Sequence, residues 1–526
     1  MIIISLISVL FLLGHVRQSH SQSTNSTFFN PVLPGLHSDP SCTRVDEIFY
    51  CVTSSFISFP GLPVWASKDL INWRLVSYVW DRDSQLPGIS WNTRGQQHGM
   101  YAPTIRYHAG EFFVICQYFG ISGGVIGVIF RTADPLGPWS DPVRFKPSRI
   151  DPDLFWDTDG KVYTAMHGIV LQEINLETGS LTSPVTIWNG TGGIWPEGPH
   201  IYKRDGWYYL LIAEGGTGLN HSMNIARSED IWGPYESFEE NPILTNRGTG
   251  AYFQTVGHGD LFTDVSGNWW GICHATRSGP EYIHYPMGRE AVLFPVKWEQ
   301  GEWPTVDPVK GAMEGWALPP RSRDVPGTGH FNSDPDHIVF HSNSSIPKHF
   351  VHWRVPRNDS FTVTDDGLQI VPTRNNLTGV PYATGEDIVF SGQRGSSLIA
   401  RHQTHPLFSF SVDLDFAPTQ IEQEAGISVF LTQVNHIDVS LCLFAPSDLR
   451  LRLRAEGSNS QPLESNISLP TGWSTSLPIT LHIIAETPDS YRFAASQGRS
   501  GLLTIGEASS ALVSGGNGSY TCGAIY

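Results

Sequence analysis

The sequence predicts an all-β chain, a propeller of repeated blades followed by a β-sandwich. Three observations lead there. Its 52 Gly and 37 Pro recur every few residues and break helical periodicity. Five times in the first three hundred residues a short aromatic or β-branched run follows a turn, at 48–52, 111–115, 161–163, 206–210 and 267–272. With Phe49, Phe112, Val162, Trp207 and Trp269 as markers, the intervals are 63, 50, 45 and 62 residues, near a four-stranded blade plus its loops. Later runs, at 408–416, 427–431, 437–441 and 449–454, largely alternate apolar and polar residues, the period of half-buried antiparallel strands.

A second echo supports the blades. Residues 65–73, 130–139 and 226–235 each read as a strand, a turn and a closing aromatic, namely Trp73, Trp139 and Tyr235. From 319 to 347 Pro, Gly, Ser, Asn and Asp accumulate, as in a surface connection. The propeller is therefore placed at 28–320, the linker at 321–347 and the sandwich at 348–526.

At the N-terminus, thirteen almost wholly apolar residues precede Ser19-His20-Ser21, a small-x-small cleavage pattern. Residues 1–21 read as a signal peptide and the protein as secreted and extracellular. Eight Asn-x-Ser/Thr sequons, at Asn25, Asn189, Asn220, Asn343, Asn358, Asn376, Asn466 and Asn517, agree with that route. None of the six cysteines forms a C-x-x-C pair, which argues against structural zinc. Cys42 and Cys51 flank a short connection and are the expected disulfide. Cys116 and Cys273 sit in apolar runs as expected free thiols, and the partners of Cys442 and Cys522 stay open.

Charge narrows the partners. With 33 Lys+Arg against 50 Asp+Glu the formal charge is −17, which repels phosphate and anionic lipid and leaves neutral polysaccharide acceptable. No apolar run is long enough to span a bilayer. A metallohydrolase would need H-E-x-x-H, which is absent. The one G-x-S-x-G, Gly120-Ile121-Ser122-Gly123-Gly124, precedes a strand-like run where a nucleophile elbow needs a helix.

Three carboxylates stand apart. Asp39 lies in Leu36-His37-Ser38-Asp39-Pro40-Ser41 and Asp151 in Ile150-Asp151-Pro152-Asp153-Leu154, each at a strand entry before a proline. Glu197 is enclosed by Trp195-Pro196-Glu197-Gly198-Pro199, neighbours that shield it from water and raise its pKa. In a propeller the inner strands meet on one axis, so acids 112 and 46 residues apart can share a funnel. One protonated and one ionised carboxyl, with a third to tune them, suit glycoside hydrolysis.

These strings, with Glu197-Gly198-Pro199-His200-Ile201-Tyr202, Val256-Gly257-His258-Gly259-Asp260 and Met287-Gly288-Arg289-Glu290, resemble glycoside hydrolase family 43 in kind and order. The resemblance implies a five-bladed propeller of inverting enzymes and a concanavalin A-like jelly-roll tail. By position it makes Asp39 the general base, Glu197 the general acid and Asp151 the residue that orients the acid and tunes its pKa. It also makes Arg289 a substrate contact and places His258 near a structural calcium ion, with no cofactor needed for the chemistry. Asp153 competes with Asp151 for the modulator role or points into the same funnel.

Trp195 and Trp156 are candidate sugar platforms because they adjoin catalytic strings; Trp65 and Trp91 are further indoles of that kind. His98 and Tyr101 are expected at the pocket rim. The activity implied is release of α-L-arabinofuranosyl residues from arabinoxylan by a monomer. The alternative is a β-1,4-xylosidase on xylo-oligosaccharides, since the two sugars present hydroxyls in overlapping positions. A non-catalytic carbohydrate-binding propeller is expected to lack one of the acids, and none is missing.

Overall fold

The computed structural model describes residues 25–93, 97–121, 124–374, 377–378, 396–457, 463–474, 476–515 and 523–526. The expected signal peptide, Cys522 and the sequons at Asn376 and Asn517 lie outside the described residues, as does the side chain of Trp91. Among the described residues the only α-helix is the single turn Ile89–Asn92. No helix is long and apolar enough to cross a membrane.

Five four-stranded antiparallel sheets form blades I to V. Their innermost strands are Ser41–Val45, Gly99–His108, Phe155–Trp156, Glu197–Arg204 and Phe253–Thr263. All five sequence markers fall on second strands: Ile48–Val52, Glu111–Ile121, Val162–Met166, Trp207–Glu214 and Trp269–Arg277. Second strands are covered by neighbouring blades on both faces, so they read as continuous apolar runs; residues 208–213 are buried without a break. The closing aromatics satisfy their polar atoms locally, as buried Trp and Tyr must. Trp73 Nε1 donates to the Leu70 carbonyl at 3.0 Å, Trp139 Nε1 to Ser77 Oγ at 3.2 Å, and the Tyr235 hydroxyl to the Ile231 carbonyl at 3.2 Å.

The ring is tied where it begins and ends. Asn25–Phe29 pairs antiparallel with Ala312–Trp316, beyond blade V, and Phe28 packs edge-on to Trp270 at 5.7 Å. Cys42 and Cys51, directly opposite each other in the first hairpin, form a disulfide. Cys116, Cys273 and Cys442 are free and buried. After Gly120 the chain continues into the strand Gly124–Thr132, so no nucleophile elbow exists there.

Two four-stranded sheets form the sandwich. Alternation sends Ile437, Val439, Leu441, Leu451 and Leu453 of one sheet against Leu481, Ile483, Phe493 and Ala495 of the other. Leu36 and Phe56 of the propeller belong to the same apolar cluster, so the two domains share a core beside the funnel. Val351–Trp353 adds a further seam, pairing with Ser58–Phe59 of the propeller on one side and Ile399–Ala400 on the other.

Candidate active site

Asp39, Asp151 and Glu197 all lie where an innermost strand begins, so three separate blades deliver a carboxyl to one mouth of the propeller. The backbone is bent out of strand geometry to do this. Asp39 and Asp151 adopt φ of +53° and +58°, and Phe56, Thr255 and His258 are also left-handed. Register shifts interrupt the innermost strands at Tyr101/Thr104, Glu197/His200 and between Gln254 and Gly259. Such conformations cost about 1–3 kcal/mol each and re-aim side chains.

Asp39 is buried and held from several sides. Arg289 Nη1 donates to Oδ1 at 2.7 Å, His274 Nδ1 stands 3.1 Å from the same oxygen, and Ser54 Oγ donates to Oδ2 at 2.6 Å. His258 Nδ1 is 3.6 Å from Oδ1. Burial alone would raise this carboxyl, but the Arg289 guanidinium first, then His258 and His274, hold it well below the usual carboxylate range. It stays ionised.

Glu197 sits in the same pocket with the opposite result. Burial raises its pKa well above the ordinary value, and the fields of Asp151 and then Asp39 add to that, against a smaller pull from Arg289. Its nearest imidazole nitrogen is His221 Nε2 at 4.0 Å, an atom with no hydrogen-bond partner. His221 in turn meets His274 at 3.2 Å between Nδ1 and Nε2. Burial keeps both rings neutral, His274 pushed down to about 3 and His221 also well below its usual value.

Asp151 is a clamp. Its amide donates to Gln117 Oε1 at 2.9 Å, Gln117 Nε2 approaches Oδ1 at 3.4 Å, and Oδ2 accepts the Gly198 amide at 3.2 Å. It thereby holds the residue that follows Glu197. Burial raises its own pKa.

The other expected site residues divide. Trp195 is 59% exposed, tilted over His167 at 5.8 Å and two residues ahead of Glu197, where an indole face is open at the mouth. Tyr101 packs edge-on to Phe56 at 4.7 Å, but its hydroxyl is taken by the Gln97 carbonyl, so it braces the pocket wall. His98 is buried edge-on to Phe119 at 4.9 Å, beside that wall. Trp156 is a correction. It stacks on His108 at 4.8 Å, at the far end of the blade II inner strand, because it follows Asp151 by the full depth of the blade.

Asp153 is a second correction. It lies two residues further along the chain from Asp151 and deeper on the axis, paired with Arg106 at 2.8 Å and accepting the Ile201 amide at 3.0 Å. Arg106 also pairs with Asp260 at 2.7 Å, and Asp260 accepts from Ser41 and Tyr202. This buried network is the floor of the funnel, with no free oxygen of Asp153 left for a sugar. Trp65 is likewise core, edge-on to His37 at 5.3 Å.

His258 is flanked by Asp39 and by His274 at 5.8 Å between ring centroids. Calcium takes six to eight oxygens. One imidazole and a carboxylate shared with a guanidinium are not that donor set.

Ser54, Gln117, His221, His274 and Phe56 are functional neighbours that the sequence reading passed over. One signal was available: His274 is the one imidazole within the otherwise apolar run of residues 269–275.

Known proteins share this two-domain fold. The family model described as glycosyl hydrolases family 43 matches residues 28–304, and that described as the beta xylosidase C-terminal concanavalin A-like domain matches 339–521. The non-reducing end alpha-L-arabinofuranosidase of Bacteroides ovatus is 36% identical over 430 residues, 78% of this chain and 75% of that protein. The xylosidase/arabinosidase of Butyrivibrio fibrisolvens is 35% identical over 438 residues, covering 78% and 79%. Among solved structures, a family 43 protein of Bacteroides ovatus superposes with a TM-score of 0.81 at 31% identity, and one of Bacillus licheniformis with 0.81 at 27%, each covering 95% of both chains. With both domains matched in order, the chain belongs to glycoside hydrolase family 43.

Proposed function

We propose that the protein is a secreted, inverting exo-glycosidase that releases α-L-arabinofuranosyl residues from arabinoxylan and acts as a monomer. One observation carries the chemistry: two carboxyls in one pocket are displaced in opposite directions, Asp39 down and Glu197 up. Glu197 gives its proton to the glycosidic oxygen as the C–O bond to the leaving group breaks. Asp39 takes a proton from a water that forms the new C–O bond on the opposite face, so the anomeric centre inverts. Asp151 holds the acid through the Gly198 amide, and its charge favours the protonated form of Glu197. Arg289 keeps Asp39 ionised and presents its remaining donors to sugar hydroxyls. Trp195 offers an exposed indole face for the ring or aglycone.

The relatives' names support the sugar, and so does a second reading. Those from Butyrivibrio fibrisolvens and Humicola insolens are both called xylosidase/arabinosidase, which favours β-xylosidase action in the same pocket. Secretion is supported by the apolar N-terminal run and by the Cys42–Cys51 disulfide, which suits an oxidising compartment. The sandwich is read as a buttress, since its core continues into Phe56, 5.5 Å from the Arg289 guanidinium.

Proton NMR during hydrolysis of a 4-nitrophenyl α-L-arabinofuranoside tests the proposal. β-L-Arabinofuranose appearing first is expected; the α anomer appearing first would refute inversion. The ratio of kcat/KM for that substrate and for 4-nitrophenyl β-D-xylopyranoside decides between the two sugars, and an inactive wild type with bound sugar would leave a carbohydrate-binding propeller.

A further inference from the structure

Away from the funnel, His330, Asp336 and His349 bring together three side chains able to ligate a metal, each with a donor atom within 4.8 Å of the others. His330 and Asp336 come from the connection between propeller and sandwich, and His349 from the residues that directly follow it. His349 Nε2 stands 3.1 Å from Asp336 Oδ1 and His330 Nε2 3.6 Å from the same oxygen. A tetrahedral shell with bonds of about 2.0–2.1 Å has edges of roughly 3.3 Å, so these are the separations of ligands flanking one ion. The Asp334 carbonyl, 2.7 Å from His330 Nε2, stands as a fourth donor and the second oxygen. Both ring nitrogens of His349 are buried, and Nε2 faces Asp336 Oδ1.

The surroundings hold these groups in place. The Leu75 amide donates to the His330 carbonyl at 3.0 Å and Lys348 Nζ to the Val76 carbonyl at 3.1 Å, anchoring both histidine segments on the outer strand Arg74–Trp80 of blade I. The Phe331 amide donates to Asp334 Oδ2 at 3.2 Å. Arg401, whose backbone pairs with Tyr526 of the sandwich, takes Asp336 Oδ2 and leaves Oδ1 facing the imidazoles. That is the outer-sphere contact which orients a ligating carboxylate. A cavity lined by His330, His349, Arg401, His402 and Trp65 adjoins the cluster and gives an ion a way in.

We propose that His330, Asp336 and His349 bind one divalent transition-metal ion, zinc by preference, which staples the interdomain connection to blade I. Two imidazoles and one carboxylate suit zinc better than calcium or magnesium. On binding, His330 takes the tautomer that carries its proton on Nδ1, and the Nε2 lone pair meets the ion in place of the hydrogen bond to the Asp334 carbonyl. None of the three residues touches the carboxyls of the funnel.

The test uses the full chain, stripped with a chelator and titrated with zinc chloride in a calorimeter, with metal content read by mass spectrometry. One zinc per chain and a melting temperature several degrees higher, reversed by chelator, are expected. His330→Gln and His349→Gln should each weaken binding at least tenfold and abolish the thermal shift while leaving glycosidase activity within twofold of wild type. Asp336→Asn gives an independent arm should either histidine variant fold poorly. No stoichiometric zinc on the wild type, or equal zinc on the double histidine variant, would overturn the proposal.

Discussion

Replacing Arg289 by Met perturbs the division of labour between the two carboxyls at its source. Nη1 of Arg289 lies 2.7 Å from Asp39 Oδ1, and the two side chains are only 4% and 6% exposed. With charge centres about 4 Å apart and an effective dielectric of about 20, the attraction is about 4 kcal/mol. At 1.36 kcal/mol per decade that is roughly three decades of proton affinity, a ceiling because Ser54 and the neighbouring imidazoles remain. The sign follows from the roles. Arg289 depresses Asp39, so its loss lets the base take up a proton at higher pH, and the acid limb of kcat/KM against pH moves up by more than one pH unit. Arg289 also restrains Glu197, so the alkaline limb moves the same way and the whole profile slides upward. The assay is that profile for R289M and wild type on an aryl glycoside. Near-UV circular dichroism must accompany it, since removing one partner of a buried pair costs about 3–5 kcal/mol. An acid limb unmoved in folded R289M would refute the electrostatic assignment.

Asp39→Asn and Glu197→Gln should each lower kcat by about 10²–10⁴, the usual share of one base or acid, and near-normal turnover on an aryl substrate would contradict the roles. Glu197→Gln should also melt higher than wild type at neutral pH. Because the folded pKa of Glu197 is raised, its contribution to stability is complete below the unfolded value and is lost as pH rises through the folded one, whereas Gln never ionises. Below about pH 4 the two proteins should melt alike, and thermal scans at both pH values check this. Gln117→Leu removes both of its contacts to Asp151 and should lower kcat about tenfold with KM little changed, at an expected cost of roughly 1–3 kcal/mol for the unpaired amide; an unchanged kcat would count against the clamp. Arg106→Leu leaves Asp153 and Asp260 unpaired in the floor and should destabilise the propeller by about 3–5 kcal/mol, measured by urea unfolding; a loss under about 1 kcal/mol would mean the floor is not held by this network.

The blades were legible because their second strands are enclosed on both faces, and enclosed strands write unbroken aromatic and β-branched runs into the chain. The sandwich was legible for the complementary reason: each strand shows one face to the core, as Ile437, Val439 and Leu441 do, and alternates. Asp39, Asp151 and Glu197 stood out by their proline-flanked, weakly charged surroundings. What those surroundings did not disclose was depth. Asp151 and Asp153 differ by two positions and look alike as text, yet one meets Gln117 at the mouth and the other Arg106 in the floor. Trp156 failed for the same reason, since adjacency in sequence to a catalytic string says nothing about which end of a strand a side chain leaves from. Ser54 and His221 were hidden differently: Ser54 bridges Asp39 of its own blade and Ala102 of the next, and His221 acts through His274 of blade V.

Burial penalises the anion at Asp39 and at Glu197 alike, so the difference between them must come from what the blades put beside each. The blade V sheet and the turn before its third strand supply His258, His274 and Arg289, three nitrogen groups converging on Asp39. Glu197 faces the carboxylates Asp151 and Asp39 and one imidazole, against a smaller pull from Arg289. Were His221 cationic, that imidazole would undo the acid, because a positive charge 4.0 Å away would favour the carboxylate. Its neutrality is built in by packing. His221 is buried, its Nδ1 is 3.1 Å from the Thr255 carbonyl, and the ring lies so close to Gly257 that a Cβ there would stand 2.6 Å from it. A glycine at 257 is thus part of the tuning of Glu197 although it touches neither the acid nor the sugar. It lets the blade V backbone close over the imidazole, and the closed, dry ring keeps the proton on the acid.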